Sequence, residues 1–393
     1  MNVKWKNVTV RQLCKMNQSS YTSKDHWEYV NYLDTGSITR NVIDGYEHID
    51  LTKVKLPSRA KRKVAVGDII YSTVRPNLCH YGMLGEIPEN CLVSTGFAVI
   101  KTDEAEVNPL FLYYYLTLPE IVESLHSIGE QGQATYPAIN PSDIEDLEIS
   151  IPERIVQNKI VAILSDYDAA IANCRKQIVL LEEAAMRLYR EWLGDVKGEK
   201  VPLRDFIYFQ EGPGIRNWQY VKLGGVRFIN IRCINNGDVD VSSASMISYD
   251  EAFGKYKHFQ LEEDDIVMSC SGTLGRTAVI RKDHLPLCLN TSVIRFRPKL
   301  DDRDYSYVYC YLNSDDFLQA QRTMANGAAQ LNFGPKHLNL IQMDLPKKEM
   351  RYSFNEQVLP MLGAKKEMYN QIRSLSEARD RLLPKLMKGE IEV

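Results

Sequence analysis

The sequence contains no run of about 18 consecutive apolar residues, so no membrane span is expected. Its first residues, Met1-Asn2-Val3-Lys4-Trp5-Lys6, lack an apolar signal core, which argues against export and for a cytoplasmic protein. Eight cysteines are scattered along 393 residues, and no two stand as Cys-x-x-Cys. That distribution suits buried, reduced thiols; it fits neither a disulfide framework nor a zinc site. The seven histidines are dispersed without helical metal-ligand spacing, so no metal is expected.

Basic excess is missing as well. Residues 1–150 carry 14 basic and 19 acidic side chains (net −5), and residues 195–346 carry 18 and 19 (net −1). The intervening 151–194 balances at 6 and 6, and 347–393 holds 10 against 7 (net +3). Nucleic-acid binders usually show a positive surplus. Contact with nucleic acid must therefore come from local clusters, or a partner must supply part of the positive surface.

Catalytic signatures are absent too. Asn108-Pro109-Leu110-Phe111 lacks the second proline of an amino-methyltransferase loop. Gly272-Thr273-Leu274-Gly275-Arg276-Thr277 is too short for a phosphate loop and has arginine where that loop has lysine; it reads as a turn between strands. No Gly-x-Ser-x-Gly elbow occurs. A non-catalytic chain without a cofactor of its own is the expectation.

What the sequence does hold is itself, twice. Val8–Leu13 echoes Val201–Phe206, Tyr32–Ile38 echoes Phe228–Ile234, and Gly67–Ser72 echoes Asp264–Ser269. Cys91–Thr95 echoes Cys288–Ser292, and Pro141–Pro152 aligns without a gap on Pro335–Pro346. The order is kept at offsets of 193 to 197, which marks a duplicated module. Each copy opens with short β-type runs, such as Val64–Val66, Asp68–Ser72 and Phe97–Ile100. A helical stretch follows at Leu110–Leu118 or Tyr305–Leu312, then a Gly/Gln/Asn loop at Gly129–Thr135 or Asn326–Asn332. Asn140-Pro141-Ser142-Asp143 predicts a short capped helix, and a strand into Pro152 or Pro346 closes the copy.

From Glu153 to Leu193 there is neither glycine nor proline. Ile160, Leu164, Tyr167, Ile171, Cys174, Ile178, Leu181, Ala185 and Leu188 alternate at spacings of 4 and 3, a narrow apolar seam suited to a partner helix. Charged residues, including Asp168 and Glu182, are expected on the opposite face. An offset of 194 carries the seam onto Phe354, Val358, Met361, Lys365, Met368, Ile372, Leu375, Arg379 and Leu382, with Lys365 and Arg379 as departures. Pro360 and Gly363 predict that the second helix begins late or kinks near 360. Helices of this length span roughly 55 Å, more than the roughly 34 Å of one DNA turn.

The expected architecture is α+β. Two similar β-rich domains (1–150 and 195–346) are separated by two long antiparallel helices (151–194 and 347–393), which form a coiled coil with internal pseudo-two-fold symmetry. Lys53, Lys55, Arg59, Lys61, Arg62 and Lys63 place six positive groups in eleven residues just before a strand, as a phosphate-positioning loop would. Lys255 and Lys257 hold the corresponding place in the second copy more thinly. Base reading needs forked donors and acceptors, which Arg75, Gln131 and Gln133 offer in one copy. Arg216, Asn217, Arg276, Asn326, Gln330 and Asn332 offer them in the other.

Some stretches carry a family likeness. They are Gly67-Asp68-Ile69-Ile70-Tyr71-Ser72-Thr73-Val74-Arg75-Pro76, Val93-Ser94-Thr95-Gly96-Phe97-Ala98-Val99-Ile100, Arg379-Asp380-Arg381-Leu382-Leu383-Pro384-Lys385-Leu386-Met387 and Gly389-Glu390-Ile391. Through them the chain resembles the specificity subunit of type I restriction-modification systems over essentially its whole length. The run Pro152–Ile160 looks like the entry to that family's first conserved helix, departing at Val156-Gln157, where an acidic residue usually precedes the glutamine. The resemblance implies target-recognition domains that each read half of a bipartite site in double-stranded DNA, with helices that set the gap. It also implies two docked adenine-methyltransferase subunits, and motor-nuclease subunits that join for restriction. S-adenosylmethionine and ATP would belong to those partners. The competing expectation is a pseudo-dimeric protein–protein scaffold that never reads DNA.

Overall fold

The structure, a computed structural model, describes residues 4–22, 24–131, 137–194, 196, 198–235, 237–327 and 331–393. The chain divides into two compact units, Met1–Ala169 with Leu375–Val393, and Ala170–Ser374.

In the first unit, one four-stranded sheet runs Glu47–Asp50, Tyr29–Leu33, Cys91–Ser94, Ala60–Lys63; its central pair is parallel, with Leu33 opposite Val93. A second, antiparallel sheet runs Cys14–Met16, Phe97–Thr102, Ile69–Ser72, Tyr81–Met83. Ile69–Ser72 and Cys91–Ser94 are buried at every position, which explains why their sequences are continuous rather than alternating. Trp5–Thr9 pairs with Glu148–Pro152. Asn108 caps the helix Pro109–Leu116 by accepting the Leu110 amide at 3.0 Å. The short helix expected after Asn140 spans Pro141–Glu145, and the Asn140 amide donates to Asp143 at 2.6 Å. Phe111, Leu116, Leu125, Ile149, Ile160, Leu164, Leu383 and Leu386 share one core, so the long helices are built into the unit at this end.

The second unit repeats the plan. Gly225–Ile229 and Leu287–Leu289 form the parallel pair, with Ile229 opposite Leu289. Ile207–Glu211, Val293–Pro298, Ile266–Ser269 and Thr277–Val279 form the antiparallel sheet, and Glu199–Pro202 pairs with Gln342–Leu345. The helix Tyr305–Leu312 lies where the repeat requires it. Its core gathers Tyr189, Phe206, Phe296, Tyr307, Phe317, Phe333, Phe354 and Val358.

The long helices span Arg154–Tyr189, followed by a π-turn over Arg190–Gly194, and Lys348–Met387. Ile160, Leu164, Ile171, Cys174, Ile178 and Ala185 are buried, as the seam requires. In the second unit Tyr189 meets Phe354, Glu182 meets Lys365 and Cys174 meets Gln371. One number falls as the other rises, so the two segments run antiparallel.

Three expectations are corrected. The second helix does not begin late: it is α-helical from Lys348 through Pro360 and Gly363. Pro360 is solvent-exposed, so the carbonyl it leaves without a donor lies on the water side, while fully buried Phe354 and Val358 hold the helix from the other. The strand expected at Val64–Val66 lies instead at Ala60–Lys63. Asp168 and Glu182 do not sit opposite the seam; each neighbours a seam residue and bonds across it, to Arg379 and Lys365.

Candidate nucleic-acid interface

In both units the turn leaving a buried strand is hydrogen-bonded to the loop that follows the second helix. In the first unit the Ile139 amide donates to the Thr73 carbonyl at 2.8 Å, and the Arg75 amide to that of Pro137 at 2.9 Å. In the second, the Phe333 amide donates to the Cys270 carbonyl at 2.8 Å, and the Gly272 amide to that of Leu331 at 2.9 Å. Residue for residue these are the same two bonds, displaced by 194 and 197 positions. A buried serine shapes each turn: Ser72 Oγ donates to the Val74 carbonyl at 2.9 Å, and Ser269 Oγ to the Thr273 carbonyl at 2.6 Å.

This platform collects several of the expected reading residues. Arg75 is exposed and held at φ 47°, a left-handed conformation that side chains with a Cβ adopt rarely. Gln131, also exposed, ends the helix Pro119–Gln131, just before the loop that Arg75 engages. Gln133 lies outside the described residues, as does Gln330. In the second unit Asn326 and Asn332 exchange backbone hydrogen bonds of 3.1 and 2.8 Å and close the loop. The Asn326 amide group also meets His337 at 3.0 Å. Arg276 is exposed at the far end of the turn, with Nη1 donating to Asn235 at 3.4 Å.

The basic residues stand elsewhere, at the other sheet. Lys61, Arg62 and Lys63 are part of the edge strand, not of a loop before it. Lys53 pairs with Asp50 at 2.7 Å, and that pairing with the Thr52 contacts draws the Asp50 pKa down to about 2. Lys63 pairs with Asp25 and lies 5.4 Å from the centre of the Trp27 ring. Arg62 donates to the Thr95 carbonyl at 3.3 Å, and burial lowers its pKa. Lys55, Arg59 and Lys61 are exposed and form no ion pair among the described residues.

In the second unit the edge beyond Leu287–Leu289 is met by Gln260 and Leu261, whose amide donates to the Leu287 carbonyl at 2.8 Å. Lys255 and Lys257 precede that edge and are exposed. Arg216 and Asn217, also exposed, are brought to the same region by buried Gln219, which donates to Glu251 at 2.5 Å and to Tyr256 at 3.1 Å. Each unit therefore carries two features: a platform with forked polar side chains, and a sheet edge with exposed cations.

The family model for the type I restriction modification DNA specificity domain matches this chain over residues 2–183 and again over 196–357. The chain belongs to that family. Its function is that of a DNA-specificity subunit, and the duplicated match coincides with the repeat. The specificity subunit of the type I restriction enzyme HindI of Haemophilus influenzae is 24% identical over 467 aligned positions, covering 98% of this chain and 99% of its own. That of MjaIX of Methanocaldococcus jannaschii is 25% identical over 314 positions, covering 72% and 69%. Among solved structures, the type I restriction-modification S subunit of M. genitalium shares the fold at a TM-score of 0.50 and 17% identity, over 98% of this chain and 96% of that one.

Sequence reasoning missed one feature of this specificity subunit's second unit. Trp218 and Leu223 are 80% and 85% exposed, beside Arg216 and Asn217. The signal was available: four glycines and a proline between Gly212 and Gly225 mark a turn-rich stretch, and large apolar side chains in such a stretch often have no core to enter. Among the described residues no helix is long and apolar enough to cross a membrane.

Proposed function

We propose that each unit reads one half of a bipartite site in double-stranded DNA through its platform, while the cations at its sheet edge hold the phosphates. The observation that carries this reading is the repeated pair of backbone bonds, which ties the turn that holds Arg75 to the loop after Gln131 in one unit, and the turn that ends at Arg276 to the loop closed by Asn326 and Asn332 in the other. Arginine suits guanine and the amides suit adenine in the major groove. In the full set, Lys53, Lys55, Arg59, Lys61, Arg62, Lys63, Lys255 and Lys257 position the duplex. Arg75, Gln131, Gln133, Arg276, Asn326, Gln330 and Asn332 read bases from the platforms, and Arg216 and Asn217 add base contacts from the sheet-edge region of the second unit.

The recognition domains are 1–150 and 195–346. The helices at 151–194 and 347–393 set the gap and dock two methyltransferase subunits, to which restriction subunits are added. The chain has no catalytic site of its own and works in the cytoplasm. Its acidic balance means that tight binding needs the assembled complex, whose partners supply positive surface. Footprinting with the methyltransferase subunits present tests the proposal. Protection of two short sequences at a fixed separation is expected; protection independent of sequence would make the chain a protein scaffold instead.

A further inference from the structure

The seam of the second long helix is interrupted by two cations, Lys365 and Arg379, and each meets an acid that adjoins the seam of the first helix. In the first unit Arg379 Nη1 donates to Asp168 Oδ1 at 2.6 Å, and the Tyr114 hydroxyl donates to Asp168 Oδ2 at 2.7 Å. Burial alone would lower the Arg379 pKa; the bonds to Asp168 and Asp380 outweigh it and hold the pKa above the ordinary value. In the second unit Lys365 pairs with Glu182 and donates to the Tyr309 hydroxyl at 2.6 Å, which itself donates to Glu182 at 2.8 Å. Lys365 and Tyr309 are 8% and 3% exposed.

Both carboxylates are on the first helix and both cations are on the second. They are fourteen residues apart on each, from 168 to 182 and from 365 to 379. Two similar helices with similar apolar seams could otherwise pair with themselves in a second copy of the chain. The repeat offset of 194 identifies what each charge would then face. Against a second copy of the first helix, Asp168 would meet Ala185 and Glu182 would meet Ile171. Against a second copy of the second helix, Arg379 would meet Leu362 and Lys365 would meet Ser376. Every such pairing buries four charges without partners, which is far costlier than burying them paired. A slip of one heptad also separates both pairs, setting Asp168 against Ile372 or Leu386.

We infer that Asp168, Glu182, Lys365 and Arg379 form a partner and register code: the first long helix accepts only the second, in one register, and a like helix from another copy is refused. Polar seam positions are known to fix partner and register at some expense of stability.

Three full-length variants test this. One carries Asp168→Arg with Glu182→Lys, the second Lys365→Glu with Arg379→Asp, and the third all four changes. The first two have like charges across their own seam and are expected to unfold at lower denaturant than the unaltered chain; the third regains most of the loss. The first two, differently tagged and refolded together, complement each other in trans. Mixed dimers should exceed either self-dimer by roughly tenfold or more. If the first two variants fail to fold alone, recovery in the third still supports the code. It is overturned if they are as stable as the unaltered chain, if the fourfold variant is no better than they are, or if co-refolding yields no excess of the mixed species.

Discussion

The six cations between Lys53 and Lys63 do not stand equal in the fold, and their inequality fixes a number. Lys53 is held by Asp50, Lys63 by Asp25, and Arg62 is drawn toward the Thr95 carbonyl. Among the described residues Lys55, Arg59 and Lys61 are exposed without an ion partner, so three phosphates are what this segment can neutralise without breaking existing bonds. Each phosphate neutralised contributes about 0.9 to the slope of log affinity against log salt. Replacing Lys55, Arg59 and Lys61 by alanine in the assembled complex should therefore flatten that slope by about 2.7. Between 50 and 200 mM salt this is a difference of about 40-fold in the affinity lost. Fluorescence anisotropy on cognate and unrelated duplexes across that salt range reads it directly. Replacing Lys53, Arg62 and Lys63 should change the slope by about 1 or less, because Lys53 and Lys63 already face carboxylates and Arg62 is half-buried against the Thr95 carbonyl. Equal flattening by the second set would contradict this assignment of charge. So would a loss of binding confined to one base pair with either set.

The packing predicts stability effects. Phe354→Ala empties a fully buried site against Tyr189 and should cost about 3–5 kcal/mol in urea unfolding; a loss below about 1 kcal/mol would mean that the second helix is not anchored there. Asp304→Ala strands Arg351, whose Nε donates to Asp304 at 2.7 Å with the two side chains 3% and 10% exposed, and should cost about 3–5 kcal/mol. Asp304→Leu combined with Arg351→Met should recover most of it. Burial first, and Arg281 second, depress the His284 pKa from 6.5 to about 4, so the folded protein holds this ring neutral. The unfolded chain takes up the proton as pH falls through 6.5, so stability should drop between 6.5 and about 4, by at most about 1.4 kcal/mol per pH unit from this group. His284→Gln should remove that component when unfolding is compared at pH 7 and pH 5.

The duplication and the seam were legible because both are patterns over distance: five ordered echoes, and nine positions at 4 and 3 spacing. Partners brought together by tertiary structure were not legible. Lys365 and Arg379 look like defects in the second seam because their partners Glu182 and Asp168 come beside them only in the fold, and those acids look like surface because 168 and 182 adjoin the stripe rather than belong to it. Pro360 argues by local propensity for a late start, and the buried Phe354 and Val358 hold the turns before it in the helix. Charge dominates the composition of the basic segment, which argues for a loop, whereas the position of Ala60–Lys63 at the end of its sheet tolerates charge on a strand. The platform itself has a weak local signature. Its turn and its loop are some 60 residues apart, and only the repeated backbone bonds join them.

We propose that paired helices set the separation on DNA of the two recognition units. Inserting one heptad after Arg175 and another after Gln371 keeps the seam and the charge code while adding about 10 Å, or about three base-pair steps. The measurement is a genome-wide map of methylated adenines in cells carrying the lengthened chain with its methyltransferase partner. The two half-sequences should be unchanged and the gap between them about three base pairs longer. An unchanged gap, or half-sequences that change with it, would contradict the account.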